Sequence, residues 1–307
     1  MADSPRVLFI FLDGVGVGHS DRDLNPFFRA RTPNLRALLD DQIPVLDSGP
    51  PATTARDAVA FPLDPLMGVE GLPQSGTGHT ALLTGENAAV RYGRHFGPWV
   101  PVPLRPLMME GNLLTRAKEA GISCAFANAY PGQYMQLAWT KRPAGPPLAA
   151  HGAGVFDRDE YDLGRGEAVA SEILNTAWRE RLGLTFVPDV TAKRAGENLA
   201  SIAASYRLTL FAHYSTDTAG HKRSMDAGVA ALERVDEFLG GVMSGLEDHS
   251  LLVLASDHGN IEDVSHGHTR NPTFNLLAGP GAHEAATGLS EITDLAPAVL
   301  SYLNGTG

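Results

Sequence analysis

An α/β fold built on an open sheet of buried parallel strands is what this sequence predicts, and three segments carry the prediction. "RVLFIFLDG", "YRLTLFAHYSTD" and "SLLVLASDHGN" are apolar runs that each finish in a carboxylate, at Asp13, Asp217 and Asp257-His258. Runs of this kind suit strands covered on both faces, as in a parallel sheet. Strand ends that share one polar chemistry point to a single crevice at the carboxyl edge of the sheet, where open α/β folds place their ligands.

Helical periods fall between the strands. "NLLTRAKEAGIS" reads as a helix ended by Gly121 that feeds the strand "CAFANAY". In "SMDAGVAALERVDEFLGGVMSGL", Val229, Leu232, Val235, Leu239 and Val242 recur every three or four residues and line one face, the pattern of core packing. Residues 131–188 break this rhythm: the Pro- and Gly-rich "KRPAGPPLAAHGAG" precedes the charged "FDRDEYDLGRGEA" and a helix-like "EAVASEILNTAWRERLG". That segment reads as a small insertion or cap within one domain spanning 1–307.

Composition limits the partners. With 307 residues, 43% of them apolar, the chain can bury a substantial core. Lys and Arg number 24 against 35 Asp and Glu, a net charge of −11 with no long basic block, which argues against nucleic acid or an anionic membrane as partner. The single cysteine, Cys124, lies in the apolar "ISCAFANAY" and reads as a small buried hydrophobe rather than a catalytic thiol. One cysteine forms no intramolecular disulfide, so the reducing cytoplasm is the expected compartment. Only six consecutive apolar residues precede Asp13, too few for a signal-peptide core or a membrane span, and a soluble protein is expected.

The polar residues then suggest a chemistry. Asp217 and His221 are four apart, a spacing that pairs them on a helical turn or across a loop, though an N-cap with a surface histidine has the same spacing. Asp257 and His258 offer a hard oxygen and a borderline nitrogen to one small volume, and "HGHTRNP" adds His266 and His268. Taken together, Asp13, Asp217, His221, Asp257, His258 and His268 are six ligand-type residues on three strand ends and the loops after them. Burying that many without cations would cost several kcal/mol for each unpaired charge, roughly. Two divalent metals, with three protein ligands each, would resolve the cost.

A further stretch, "LPQSGTGHTALLTG", sets Ser75 and Thr77 before a helix expected to begin near Gly78. A hydroxyl there lies in the positive field of a helix N-terminus, and beside a metal it can ionise near neutral pH and attack. Spacing alone does not choose between the two. Arg94 and His95 in "RYGRHFGP" suit a substrate anion or a solvated basic pair equally. Asn25 in "DLNPFF" either reaches the site or makes a turn before proline.

The ordered set "FLDGVG", "LPQSGTGHTALLTG", "DTAGH", "SDHGN" and "HTRNP" resembles the alkaline phosphatase superfamily of two-metal enzymes. It is most similar to the branch containing cofactor-independent phosphoglycerate mutase and phosphopentomutase, and the motifs run from Asp13 to Pro272. The resemblance implies a three-layer α/β/α fold with a mostly parallel central sheet. In that family the nucleophile stands four residues before a histidine and nine before a small pair. Counting back from His79 and from Thr84-Gly85 reaches Ser75 both times. Thr77 is left to cap the helix or touch the phosphoryl group.

The same resemblance implies Asp13, Ser75, Asp257 and His258 around one metal and Asp217, His221 and His268 around the other. His79 matches a family position without being an implied ligand, and His266 falls outside the matched motif. Imidazole and carboxylate without thiolate suit manganese or zinc, and the resemblance leans towards manganese. The implied reaction is in-line attack by Ser75 on a small-molecule phosphate ester, followed by removal of the phosphoryl group by water or an acceptor alcohol.

The mutases carry a large arginine-bearing substrate insertion after the nucleophile helix that has no match here. Residues 131–188 offer only Lys141, Arg142, Arg158, Arg165, Arg179 and Arg181 in its place. A mutase must exclude water while it holds its phosphorylated intermediate, so a small cap favours hydrolysis. The expectation is a phosphatase-like hydrolase, with a phosphomutase or a non-catalytic metal-binding protein as alternatives.

Overall fold

The structure, a computed structural model, describes residues 4–47, 52–55, 57–135 and 141–305. Its strands are β1 (Arg6–Leu12), β2 (Thr53–Thr54), β3 (Ala58–Leu63), β4 (Cys124–Phe126), β5 (Leu208–His213), β6 (Ser250–Ala255) and β7 (Thr273–Ala278). They form one sheet in the order β2-β3-β7-β6-β1-β5-β4. β1 lies between β5 and β6 and is parallel to both, and β4 is parallel to β5. β7 runs antiparallel to β6, β3 to β7, and β2 to β3, so five of the seven strands share one direction.

The alternation of side chains along β1 explains the layers. Val7, Phe9 and Phe11 enter one buried cluster while Leu8, Ile10 and Leu12 enter another, on the opposite face. Helices Ser75–Thr84, Leu113–Glu119 and Leu295–Asn304 cover the first face. Helices Ala192–Ala203 and Met225–Gly245 cover the second. The result is the three-layer α/β/α arrangement, with a mixed sheet.

Both expected inter-strand helices form. Asn112 caps Leu113–Glu119 by accepting from the Leu114 and Thr115 N–H groups, and Gly121 follows with φ +74°. In Met225–Gly245, Leu232, Leu239 and Val242 are buried and the half-buried Val229 and Val235 pack against them.

The helix expected over 167–183 does not form; only Thr176–Glu180 is helical. Val169 N–H instead donates to the Ala127 carbonyl at 2.8 Å, and Ala129 N–H donates to the Val169 carbonyl at 2.9 Å. This extends sheet-like pairing past β4 and buries Val169, Ala170 and Ile173, which outweighs the local helical propensity. Within the expected insertion, Leu148, Ala149 and Ala150 of helix Gly145–Gly152 join the first main core. Leu163, Ala168, Ala170, Trp178 and Val187 form a small cluster of their own with Ala129.

Cys124 is buried, and burial pushes its thiol up to about 12, as for an unreactive core residue. No helix among the described residues is long and apolar enough to cross a membrane.

One buried carboxylate is purely architectural. Asp236, on helix Met225–Gly245, accepts from Asn34 N–H at 3.2 Å and Leu35 N–H at 2.8 Å, capping helix Pro33–Leu38 from across the layer. Asp236→Ala leaves those donors unpaired and is expected to cost about 1–3 kcal/mol. A lower urea midpoint at unchanged m-value is the check; an unchanged midpoint contradicts it.

Candidate metal centre

Strand register brings the polar ends together. Leu12 of β1 stands beside His213 of β5, and Phe11 beside Ala255 of β6, so Asp13, Tyr214 and Ser256 leave the sheet at one edge. The chain after β5 turns at once into helix Ser215–His221, so the helical form of the Asp217–His221 spacing is the one adopted. His221 Nε2 lies 3.2 Å from Asp217 Oδ2.

Ser75 is the first residue of helix Ser75–Thr84, which starts three residues before the expected Gly78. The first turn has no side-chain cap, and Thr77 N–H donates to the Phe96 carbonyl at 2.9 Å. Thr77 is buried, its hydroxyl within reach of the Gln74 and Phe96 carbonyls at 3.2 and 3.4 Å. Gly78 lets this helix approach the sheet edge: a Cβ there would lie 2.9 Å from Asp257 Oδ2.

Two groups of donors result. In the first, Ser75 Oγ lies 3.0 Å from His258 Nε2, which is 3.4 Å from both Asp13 Oδ1 and Asp257 Oδ2. In the second, His268 Nε2 lies 3.2 Å from His221 Nε2 and 3.5 Å from Asp217 Oδ1. The His258 and His268 rings stack at 4.0 Å and join the groups. Ligand atoms of Asp13, Asp257 and His258, and likewise of Asp217, His258 and His268, lie within 4.8 Å of one another.

The hydrogen-bond network assigns the tautomers. His258 Nδ1–H donates to the Gly259 carbonyl at 3.2 Å and His268 Nδ1–H to the Pro73 carbonyl at 2.8 Å. Both therefore aim an Nε2 lone pair into the centre, the usual arrangement of a ligating imidazole. His79 is the reverse. Its Nδ1 accepts from Gly145 N–H at 3.2 Å, leaving the proton on Nε2, which faces Asp13 Oδ2 at 3.4 Å and Asp257 Oδ2 at 3.5 Å. His79 thus turns its Nε2–H towards the two carboxylates without hydrogen-bonding to either, an orientation that its sequence position, one helical turn after Ser75, does not decide.

Other sequence candidates fall elsewhere. Asn25 caps a short turn, accepting from Phe27 N–H at 3.0 Å. His266 is exposed beside Asp263 and Ser265. Arg94 is exposed with its guanidinium 5.9 Å from the Tyr92 ring centre, and His95 Nε2 faces the Val69 carbonyl at 3.2 Å.

A family model described as "Metalloenzyme superfamily" matches residues 5–304. The chain belongs to that superfamily. Part of it is 32% identical over 126 residues to a 2,3-bisphosphoglycerate-independent phosphoglycerate mutase of Ruegeria sp. (strain TM1040), covering 38% of this chain and 24% of that protein. The mutase of Acetivibrio thermocellus is 33% identical over 107 residues, covering 32% and 20%. The match thus spans a quarter or less of those curated relatives. A Pyrococcus horikoshii protein superposes with a TM-score of 0.59 at 16% identity, over 99% of this chain and 98% of that one. The alkaline phosphatase of the Antarctic bacterium TAB5 does so with 0.55 at 11% identity, over 98% and 99%. At these identities the likeness shows an alkaline-phosphatase-like fold.

The electrostatics of this superfamily member fit divalent cations. Asp13 Oδ1 and Asp257 Oδ2 are buried without a hydrogen-bond partner. Burial drives the Asp257 carboxyl well above the usual range, and the charges of Asp13 and Asp217 add to it. Burial and the neighbouring His268 push His258 down to about 4. For Asp217 burial works upward, but His268, His258 and Asn260 hold its carboxyl below the usual range. For His268 burial works downward, but Asp217 holds its imidazole above the ordinary value. Crowded carboxylates and converging lone pairs are costly together and become favourable around a cation.

A cation must displace the protons that Asp257 and His268 hold above their ordinary ranges, so affinity is expected to rise with pH. Manganese titration calorimetry in buffers of different ionisation enthalpy checks this. Affinity that is flat with pH, with no proton release, contradicts it.

Proposed function

We propose that this protein is a two-metal phosphoryl-transfer enzyme that uses Ser75 as nucleophile and hydrolyses a small phosphate ester. In this reading Asp13, Ser75, Asp257 and His258 serve one ion, and Asp217, His221 and His268 the other. The observation that supports it best is the setting of the Ser75 hydroxyl: first turn of a buried helix, 3.0 Å from a His258 nitrogen that presents a lone pair. A phosphoryl group in the crevice there meets both Ser75 Oγ and the positive end of the helix.

Bound divalent cations, manganese or zinc by donor type, would lower the hydroxyl pKa and neutralise charge on the phosphoryl oxygens. Ser75 Oγ forms the bond to phosphorus as the ester oxygen leaves with its electron pair. Water then cleaves the phosphoserine and releases phosphate. His79, whose Nε2–H faces Asp13 and Asp257, sets a positive dipole beside both carboxylates. Helix Gly145–Gly152 reaches the centre through the Gly145 N–H, which donates to His79 Nδ1. The single buried cysteine suits a reducing, cytoplasmic setting.

The partial likeness to phosphoglycerate mutases supports a second reading, a phosphomutase on a small sugar or sugar-acid phosphate. Product analysis on a panel of monoesters and diesters with manganese separates the two. Released inorganic phosphate is the expected result; intramolecular transfer without release favours the mutase, and no turnover of any ester by the metal-loaded protein removes both.

A further inference from the structure

Glu262 is a carboxylate that the proposed chemistry does not use. It is 1% exposed, and four donors converge on it. Its Oε2 accepts from Gly16 N–H at 2.9 Å and Asn260 N–H at 2.8 Å. Its Oε1 accepts from the Thr269 hydroxyl at 2.5 Å and Asn271 Nδ2 at 3.1 Å. The fit leaves no slack: a Cβ on Gly16 would lie 2.4 Å from the carboxylate.

Those donors belong to the segments that carry the ligand residues. Gly16 follows Asp13 on the loop after β1, Asn260 follows His258 after β6, and Thr269 follows His268. Asn260 passes the constraint on, because its Nδ2 donates to Asp217 Oδ1 at 2.6 Å and to the Asp217 carbonyl at 3.2 Å. A Cβ on Gly220 would meet Asn260 Oδ1 at 2.4 Å, so the Ser215–His221 helix is seated directly on that amide. Asp13, Asp257 and His258 follow paired strands closely and inherit their positions from the sheet. Asp217, His221 and His268 lie on a short helix and a loop.

We infer that Glu262, working through Asn260 and Thr269, is the positioning residue that holds Asp217, His221 and His268 at the spacing needed for the second cation. This rests on the two-metal reading. Glu262 touches no reacting atom; it fixes where the ligand-bearing segments sit. Removing a residue that holds metal ligands in place typically changes metal affinity about 10- to 100-fold.

Glu262→Gln keeps the shape but places an amide N–H₂ against either the Gly16 and Asn260 donors or the Asn271 donor. Manganese titration calorimetry on the full chain is the test, with Asp236→Asn as a control for lost stability away from the centre. The unmodified protein is expected to bind two ions. Glu262→Gln is expected to leave one ion bound as tightly as in the parent and weaken the other about 10- to 100-fold, with Asp236→Asn leaving both affinities unchanged. Thr269→Val, which removes one donor and leaves the carboxylate in place, is expected to weaken the same ion by less. It also carries the test if the Gln variant does not fold. Two ions bound as tightly by both Glu262→Gln and Thr269→Val as by the parent overturn the positioning role alone. Equal weakening of both ions, or equal effects from Asp236→Asn, also overturns it. A parent that binds fewer than two ions overturns the two-metal reading as well.

Discussion

Ser75→Ala is expected to fold, to take up metal, and to lose about a thousand-fold or more of the phosphate-releasing activity, the scale seen when a nucleophile is removed. Folding should survive because the substitution deletes one oxygen whose hydrogen bond is to His258 Nε2, a change on the order of 1 kcal/mol. Metal uptake should survive because Asp13, Asp257 and His258 still face the same volume. Turnover should not, since no other hydroxyl is within hydrogen-bond reach of His258 Nε2 among the described residues. Steady-state assays at saturating manganese read the outcome. A non-catalytic metal-binding protein gives no activity to lose, and a variant as active as its parent removes Ser75 from the chemistry.

The second large effect is one of opposite signs. Asp257 titrates well above its unfolded value because it is buried beside Asp13 and Asp217. A group raised in this way contributes its full stability below the ordinary carboxylate pKa and loses it as pH rises through the folded value. At neutral pH in a chelator the ionised form therefore weighs against folding. Asp257→Asn removes that charge and keeps an oxygen for Gly14 N–H, which lies 3.4 Å from Oδ1. The metal-free variant should be more stable than its parent by on the order of 0.5–2 kcal/mol, the usual gain when a functional strain is relieved. The gain should be larger at pH 8 than at pH 5. With manganese the order should reverse, because the parent gains up to about 2.7 kcal/mol at a hundred times the dissociation constant and the variant does not. Thermal melts in chelator and in manganese decide it. A destabilised metal-free variant, or one that still gains as much from manganese as its parent, contradicts the account.

The parts of the fold legible in the sequence were those where one residue type dominates a segment. β1, β5 and β6 are continuous apolar runs ended by ligand-type residues, and their ends do meet. β3 and β7 were not foreseen because each carries a residue that reads as a breaker. Pro62 is tolerated in β3 because the two-residue β2 pairs only with Val59 and Ala60 and does not extend to it. Asn275 in β7 is fully buried and has its amide satisfied locally, by the Thr273 carbonyl and hydroxyl at 3.1 and 2.8 Å. The helix expected over 167–183 failed for a related reason: backbone pairing of Val169 with Ala127 and Ala129 is a tertiary event that local propensity does not register.

The centre divides in the same way. Asp-His and His-x-His patterns announce ligand chemistry by residue type, so the acidic and imidazole groups are identifiable from the sequence. The tautomers of His79, His258 and His268 depend on which backbone group each Nδ1 meets, namely Gly145 N–H or the carbonyls of Gly259 and Pro73. Glu262 reads in sequence as one more acid in the loop "NIEDVSHGH", and only folding shows four donors closing on it. Residues that donate or accept a ligand are visible by chemistry, whereas those that hold them in place are visible by position.

A crystal structure of the protein grown with manganese and orthovanadate, with anomalous scattering to locate the ions, tests the central claim most directly. Two manganese ions are expected, one touching Asp13, Ser75, Asp257 and His258, the other Asp217, His221 and His268, with vanadium in line with Ser75 Oγ. Manganese at one position only, ions outside this cluster, or vanadium remote from Ser75 would contradict it.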